Sequence, residues 1–308
     1  MNKRKVIRIL RSALPIIGLI AVCLIFNILT HGSMWTSRKL ILNQVYVVLI
    51  SAVGVFFIMT MGGLDFSQGS ILGIASIVVC KLSSINMVLA VAGGILAGAA
   101  IGAFNGFFYV NRKIKSFIVT ICTMFLFRGF IKYMASNSPV TASMNVYNYD
   151  TTAIKLGITL GVVIISFVIF RFTKFGTYLK AIGAGEKAAK FAGIRTNKMK
   201  FLIYVLAGAI TGLAAFVNIV KNGSATANVG NQLETQILIA LVLGGMPISG
   251  GAKVKFENII VGSLLYIVLN NGLTMMGLTT QAMQLIQGVV FLIFVAVFAD
   301  RQSLTVIK

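Results

Sequence analysis

Acidic residues are scarce in this sequence: six Asp and Glu stand against 27 Lys and Arg. Histidine occurs once, at His31, so no histidine-based metal site or catalytic triad can be assembled. Three prolines and a charged fraction of only 11% exclude a disordered, highly charged chain. The three cysteines, Cys23, Cys80 and Cys122, lie in apolar runs and form no C-x-x-C pair. A disulfide framework is therefore excluded, and each cysteine reads as a structural residue. What abounds is apolar: 58% of the 308 residues are hydrophobic, and the mean hydropathy is +0.96. A soluble domain carries about 25% charged residues. A water-soluble enzyme is excluded, and a multi-span membrane protein remains.

Ten apolar segments are long enough to span, or nearly so: 12–30, 40–61, 69–80, 87–110, 116–134, 155–172, 199–220, 235–248, 257–273 and 282–299. The segments 69–80 and 235–248 fall short of the ~17–20 residues that a full span needs. Each adjoins a Gly-rich break and reads as a short, tilted or discontinuous helix. The net charge of +21 would suggest nucleic acid in a soluble protein. Here the cations lie between apolar runs, as positive-inside topology requires. With the N-terminus inside, twenty Lys and Arg face the cytoplasm and six face out, while Arg128 lies within a span. Nucleic acid is not expected as a partner. The start MNKRKVIRILR lacks a small-x-small cleavage site downstream and reads as the basic flank of a first span, not a removable signal. The expectation is an all-α, polytopic transmembrane helix bundle of about ten spans, both termini cytoplasmic. It forms a single domain over 1–308, multi-pass in the cell membrane and surrounded by lipid.

Glycines at 94, 98, 102 and 106 recur every fourth residue in span four, and Gly208 and Gly212 repeat the spacing in span seven. Such side-chain-free stripes let helices approach closely, so they mark packing. Two breaks resemble each other, Met61-Gly-Gly-Leu-Asp-Phe-Ser-Gln-Gly-Ser70 and Leu243-Gly-Gly-Met-Pro-Ile-Ser-Gly-Gly251, which suggests an internal pseudo-repeat. Asp65 in the first break either contacts solute or, with Ser67, caps the following helix by accepting backbone N–H groups. Polar residues inside spans, with Asp65 of the first break, mark a candidate pathway: Asn43, Gln44, Asp65, Asn105, Thr120, Arg128 and Asn270, joined by Thr123 on span five and by Asn218, Asn271, Gln284 and Gln287 in the second half. A buried Arg costs about 2.5–3.5 kcal/mol on insertion scales, so Arg128 needs a carboxylate, a carbonyl cage, a wet cavity or a snorkelling route. No ladder of intramembrane acids supports an ion-driven carrier.

Segment 176–198 is the most informative cytoplasmic stretch. Its Gly183-Ala-Gly185-Glu-Lys187 fails the phosphate-loop spacing, and no strand precedes it. It reads either as a generic basic loop or as a short docking helix, 186–192, ended by Gly193. Glu186 and Lys190 form an i, i+4 ion pair in that reading.

Several motifs in order carry a resemblance. They are Gly62 to Ser70, Asn105-Gly106, Phe117-Ile-Val-Thr120, Arg128-Gly129 and Ala181-Ile-Gly-Ala-Gly-Glu-Lys-Ala-Ala189. Ala192-Gly-Ile194, Val242-Leu-Gly-Gly245 with Ser249-Gly-Gly251, and Asn270-Asn-Gly-Leu273 complete them. From about residue 40 to 301 the chain resembles inner-membrane permeases of ABC importers for ribose and other monosaccharides, a family shared with branched-chain amino-acid permeases. The resemblance implies a transport subunit, not an enzyme, holding no cofactor or metal of its own. ATP and Mg would belong to a separate ATP-binding subunit docking at a coupling helix, with Gly183, Glu186, Ala188, Ala189 and Gly193 as its residues. An extracytoplasmic solute-binding protein and a second permease subunit, identical or paralogous, complete the implied assembly. The implied cargo is a monosaccharide such as ribose; a nucleoside or another solute, or an ion-gradient carrier, is the alternative. The chain departs from the family pattern at Gln68, usually apolar, at Lys187, usually acidic, and at Lys253 and Lys255.

Overall fold

The computed structural model describes residues 3–298, with side chains from 14 to 296. In hydrocarbon a backbone satisfies its hydrogen bonds only within itself, so apolar runs become helices. They do so here: α1 (Lys3–Leu29), α2 (Ser33–Thr36), α3 (Arg38–Thr60), α4 (Gln68–Ser83), α5 (Met87–Asn111) and α6 (Ser116–Met134) fill the first half. Then follow α7 (Thr152–Phe172), α8 (Lys174–Ala184), α9 (Glu186–Phe191), α10 (Thr196–Asn222), α11 (Leu233–Leu243), α12 (Glu257–Met275) and α13 (Thr280–Phe298). A 3-10 helix, Met144–Tyr149, and one antiparallel pair of two-residue strands, β1 (Val140–Thr141) on β2 (Ser224–Ala225), are small additions to the all-α expectation.

Six helices, α3, α5, α6, α7, α10 and α12, are long and apolar enough to cross a membrane alone. Four shorter apolar stretches, Leu14–Leu29, Gln68–Ser83, Leu233–Leu243 and Thr280–Ala296, account for the other runs. Residue 299 of the last run and the cations at 301–308 used in the orientation count lie outside the described residues, as do the side chains of 3–13. Of the three cysteines, Cys80 is buried, Cys23 half-buried and Cys122 exposed.

Helices α3 and α10 form the centre, and α11 is buried along most of its length. A helix apolar on all sides must be enclosed by protein or by lipid, and for the run Val45–Thr60 of α3 the protein encloses it. Helices α5, α6 and α7 bury one face each and turn apolar side chains such as Phe125, Leu126, Ile164 and Ile165 outward.

The glycine stripes account for the tightest contact. Gly94, Gly98 and Gly102 of α5 lie directly against the carbonyls of Gly212, Gly208 and Tyr204 of α10. A Cβ on Gly98 would fall inside the Gly208 carbonyl, and a Cβ on Gly208 inside that of Gly98. Below them, Phe56 packs edge-on against Phe170 at 5.0 Å and Phe256 at 5.4 Å, and Phe57 against Phe175 at 5.4 Å. These rings fasten α7 and α8 to the end of α3.

Overpacking costs about 1–3 kcal/mol where neighbours can shift, and two backbones cannot. Gly98→Val and Gly208→Val should therefore eliminate the monodisperse peak of the detergent-solubilised protein on size exclusion. Gly161→Ala, whose Cβ would meet nothing within 4 Å, should leave that peak in place and not lower the unfolding temperature.

Candidate functional site

The helices break twice before a short helix begins, at 61–67 before α4 and at 223–232 before α11. Non-helical backbone inside an apolar bundle must find partners. At the first break Asp65 supplies them. Its Oδ1 accepts the Ser67 N–H at 2.7 Å and the Ser67 hydroxyl at 2.6 Å, and its Oδ2 accepts from Gln68 Nε2 at 2.6 Å. Asp65 is 1% exposed. The capping alternative is therefore met in altered form. Ser67 stands at the N-cap but accepts no helix N–H through its side chain; Asp65 takes the N–H of Ser67 itself.

The network continues through side chains of three other helices, α5, α6 and α10. Asn105 Nδ2 donates to Ser67 Oγ at 2.8 Å, and Thr123 donates to Asn105 Oδ1 at 2.6 Å. Thr211 of α10 donates to Gln68 Oε1. The N–H groups of Leu64 and Phe66 reach Ser116 and Thr120, each at 3.2 Å. Asp65, Asn105 and Thr120, named separately from sequence, thus share one buried network. Thr123, Thr211 and Gln68 belong to it too.

Arg128 lies alongside. Its guanidinium donates to the carbonyls of Val229, at 3.2 Å, and Gly230, at 2.5 Å, and pairs with Glu234 at 3.2 Å. Both carboxylate and carbonyl cage are present, and the snorkelling alternative does not apply. Glu234 was the unassigned partner; an acid in the first turn of a short apolar helix was the available signal. The pair lies against Gly69 at the start of α4, where any Cβ would strike Glu234, Gly230 and Arg128 together. The starts of α4 and α11 therefore meet at Gly69 and Gly230.

The remaining amides form a second cluster. Asn271 donates to Gln44 at 2.9 Å and Gln287 to Asn270 at 2.8 Å, joining α3, α12 and α13; Asn43 is half-buried beside them on α3. A cleft of about 400 Å³ opens between Phe66, α11, α12 and α13. Gln287 belongs to both the cluster and the cleft wall.

The short helix read at 186–192 is α9. Gly193, at φ +81°, ends it: Ile194 N–H bonds the Ala189 carbonyl and Gly193 N–H that of Lys190, both at 3.1 Å. This is a Schellman cap, which requires the left-handed conformation at that position. Ala189 and Gly183 face the bundle, Gly183 touching the Thr60 carbonyl, while Ala188 faces out. The expected Glu186–Lys190 pair is replaced: Glu186 binds Lys200 of α10 at 2.5 Å. Lys200 is buried, with its ammonium 4.8 Å from the Tyr109 ring, so it gains more from a carboxylate than the exposed Lys190 does. Phe191 at the tip is 92% exposed, a feature sequence reading did not single out.

Three of these segments converge. Gly251 N–H bonds the Thr60 carbonyl at 3.0 Å, Gly250 packs on Met59 and Thr60, and Gly183 closes the junction from α8. The two Gly-rich breaks paired by sequence are therefore in contact, with the root of α9 between them.

A bundle of apolar helices with interrupted members, buried polar networks and a short external helix has the architecture of a polytopic membrane protein. The chain belongs to the family described as branched-chain amino acid transport system / permease component, whose model matches residues 38–295. It is 31% identical over 274 residues to the ribose import permease protein RbsC of Escherichia coli, covering 85% of each chain. It is 32% identical over 300 residues to RbsC of Bacillus subtilis, covering 94% of this chain and 92% of that one. Fructose import permease protein FrcC of Rhizobium meliloti is 27% identical over 306 residues, covering 93% and 84%. No solved structure matches the chain.

Breaking one side of a buried ion pair costs about 3–5 kcal/mol, whereas replacing both sides costs far less. Arg128→Met and Glu234→Met should each lower the unfolding temperature in detergent sharply. The double variant should recover most of that loss, as a double-mutant cycle will measure.

Proposed function

We propose that this chain is the membrane permease subunit of an ABC importer for a monosaccharide such as ribose. The family membership and the ribose permeases among its relatives support that reading. The structural observation that carries it is α9, a capped helix standing off the bundle but bolted to it through Ala189, Gly183 and the Glu186–Lys200 pair. Its outward face offers Phe191, Ala188, Lys187 and Lys190. An ATP-binding subunit would grip this face, and the junction at Thr60, Gly183 and Gly251 would pass its movement to α3 and the first break. Segment 176–198 is the coupling segment within one transmembrane domain.

In this reading ten helices span the membrane, with both termini on the cytoplasmic side. The order of long helix, extended break, short helix and two further helices occurs at α3–α6 and again at α10–α13. We take this as the pseudo-repeat, and it pairs 61–67 with 223–232 rather than with 244–251. Two permease subunits would enclose the pathway, with a solute-binding protein delivering cargo from outside. The polar seam of Asn43, Gln44, Asp65, Asn105, Thr120, Arg128 and Asn270 would stiffen or line that pathway.

An ion-gradient carrier is the weaker alternative. It needs an acid free to exchange partners, whereas Asp65 holds three hydrogen bonds and Glu234 holds Arg128.

The tagged chain, extracted in mild detergent, should copurify with an ATP-binding subunit. Phe191→Asp should reduce that copurification at least about tenfold, a loss of ~1.4 kcal/mol, without changing the size-exclusion profile. A chain that came down alone and moved sugar in ATP-free liposomes would refute the importer reading.

A further inference from the structure

The cleft beside the first break sets side-chain amides into a mostly apolar wall. Its walls carry four glutamines: Gln232 and Gln236 at the start of α11, and Gln284 and Gln287 on α13. Gln287 bonds Asn270. Among the described residues the side-chain amides of Gln232, Gln236 and Gln284 have no hydrogen-bond partner. An amide facing hydrocarbon without a partner costs several kcal/mol, so three together require water or a polar ligand. Gln232 also holds φ at +64°, a left-handed backbone that costs a non-glycine residue about 1–2 kcal/mol. The turn carries an amide where glycine would fit without cost.

Among the described residues no charged side chain lines the cleft. Asp65, Arg128 and Glu234 are not among its lining residues and hold partners of their own, Asp65 in Ser67 and Gln68, Arg128 in Glu234 and the Gly230 carbonyl. The rest of the wall includes three aromatic rings, Phe66, Tyr266 and Phe291. Each amide presents a donor beside an acceptor, which matches neighbouring hydroxyls that must give and take hydrogen bonds. Rings covering apolar C–H faces complete such a site. A volume of about 400 Å³ lies in the range of small-molecule sites.

We infer that this cleft is a binding station for an uncharged polyhydroxy solute of monosaccharide size, held by the Gln232, Gln236 and Gln284 amides between aromatic rings. The inference rests on the importer reading for its physiological meaning, but the site can be tested in the chain alone. It separates sugars from amino acids, the cargo in the family's description, because a zwitterion would bring two charges to a wall without any.

The test is saturation-transfer NMR on the full chain in lipid nanodiscs, with D-ribose, D-allose and L-arabinose as probes and L-leucine as the zwitterionic control. Saturation should reach the sugar C–H protons and not leucine. It should fall at least about fivefold, ~1 kcal/mol, in the Gln236→Leu/Gln284→Leu variant and also in Gln284→Glu. Both variants should keep the wild-type size-exclusion profile, since Gln284 is exposed and hydrogen-bonds nothing in the protein. Equal transfer to leucine, unchanged transfer in the variants, or no transfer to any of the three sugars would overturn the site. Failure to copurify an ATP-binding subunit would count against the importer reading alone.

Discussion

Asp65 accepts three hydrogen bonds inside the bundle, and the architecture around it follows from that. Its carboxylate lets seven residues leave the helical path between α3 and α4 without stranding their polar groups. Ser116 and Thr120 take two more backbone N–H groups, and Asn105, Thr123 and Thr211 close the outer layer. In a low-dielectric interior such a network is strong when complete and costly when one member is lost. Because its members come from α4, α5, α6 and α10, it also fixes how those helices sit. The glycine contacts of α5 on α10 bring Asn105 and Thr211 close enough to take part.

The break places α4 and α11 start to start. Helix starts leave N–H groups unpaired and carry partial positive charge, and two facing each other would repel. Glu234 sits at that meeting point with Gly69 against it, and Arg128 neutralises the acid while binding the carbonyls that precede α11. Gly69 and Gly230 are required there because the space is already occupied by the ion pair and by each other's backbone. The charge that looks expensive on an insertion scale is the element that lets two interrupted helices meet.

Much of this was legible in the residues. Among the described residues, hydropathy located the six long apolar helices and the four shorter apolar stretches, because flanking glycines and polar residues end the runs abruptly. Four-residue spacing marked the glycine faces of α5 and α10 as close-packing surfaces, though not as each other's partner. Gly193 located the end of α9, since a helix followed by a left-handed residue has few other readings. Pairings over long sequence distances were not legible. Arg128 required a partner, but nothing local selected Glu234, 106 residues away. Glu186 had a suitable lysine one turn on, yet a buried lysine on another helix outcompeted it. Local periodicity reports which face of a helix is buried and not which residue of another helix it meets.

Gln68 joins the first break to α10. An apolar residue at that position would leave one Asp65 oxygen and the Thr211 hydroxyl without a partner. The glutamine bridges them, donating through Nε2 and accepting through Oε1, so the first break is bonded to α10 as well as to α5 and α6. A break held on three sides moves as a unit with its helices. A displacement arriving at Thr60 from the α8–α9 arm would then shift the start of α4, and Phe66 with it, without separating the network. Phe66 lines the cleft, and Thr60 touches Gly183 and Gly251. Six residues of irregular chain thus connect the external helix to the cleft wall, a distance short enough for small rigid movements to matter.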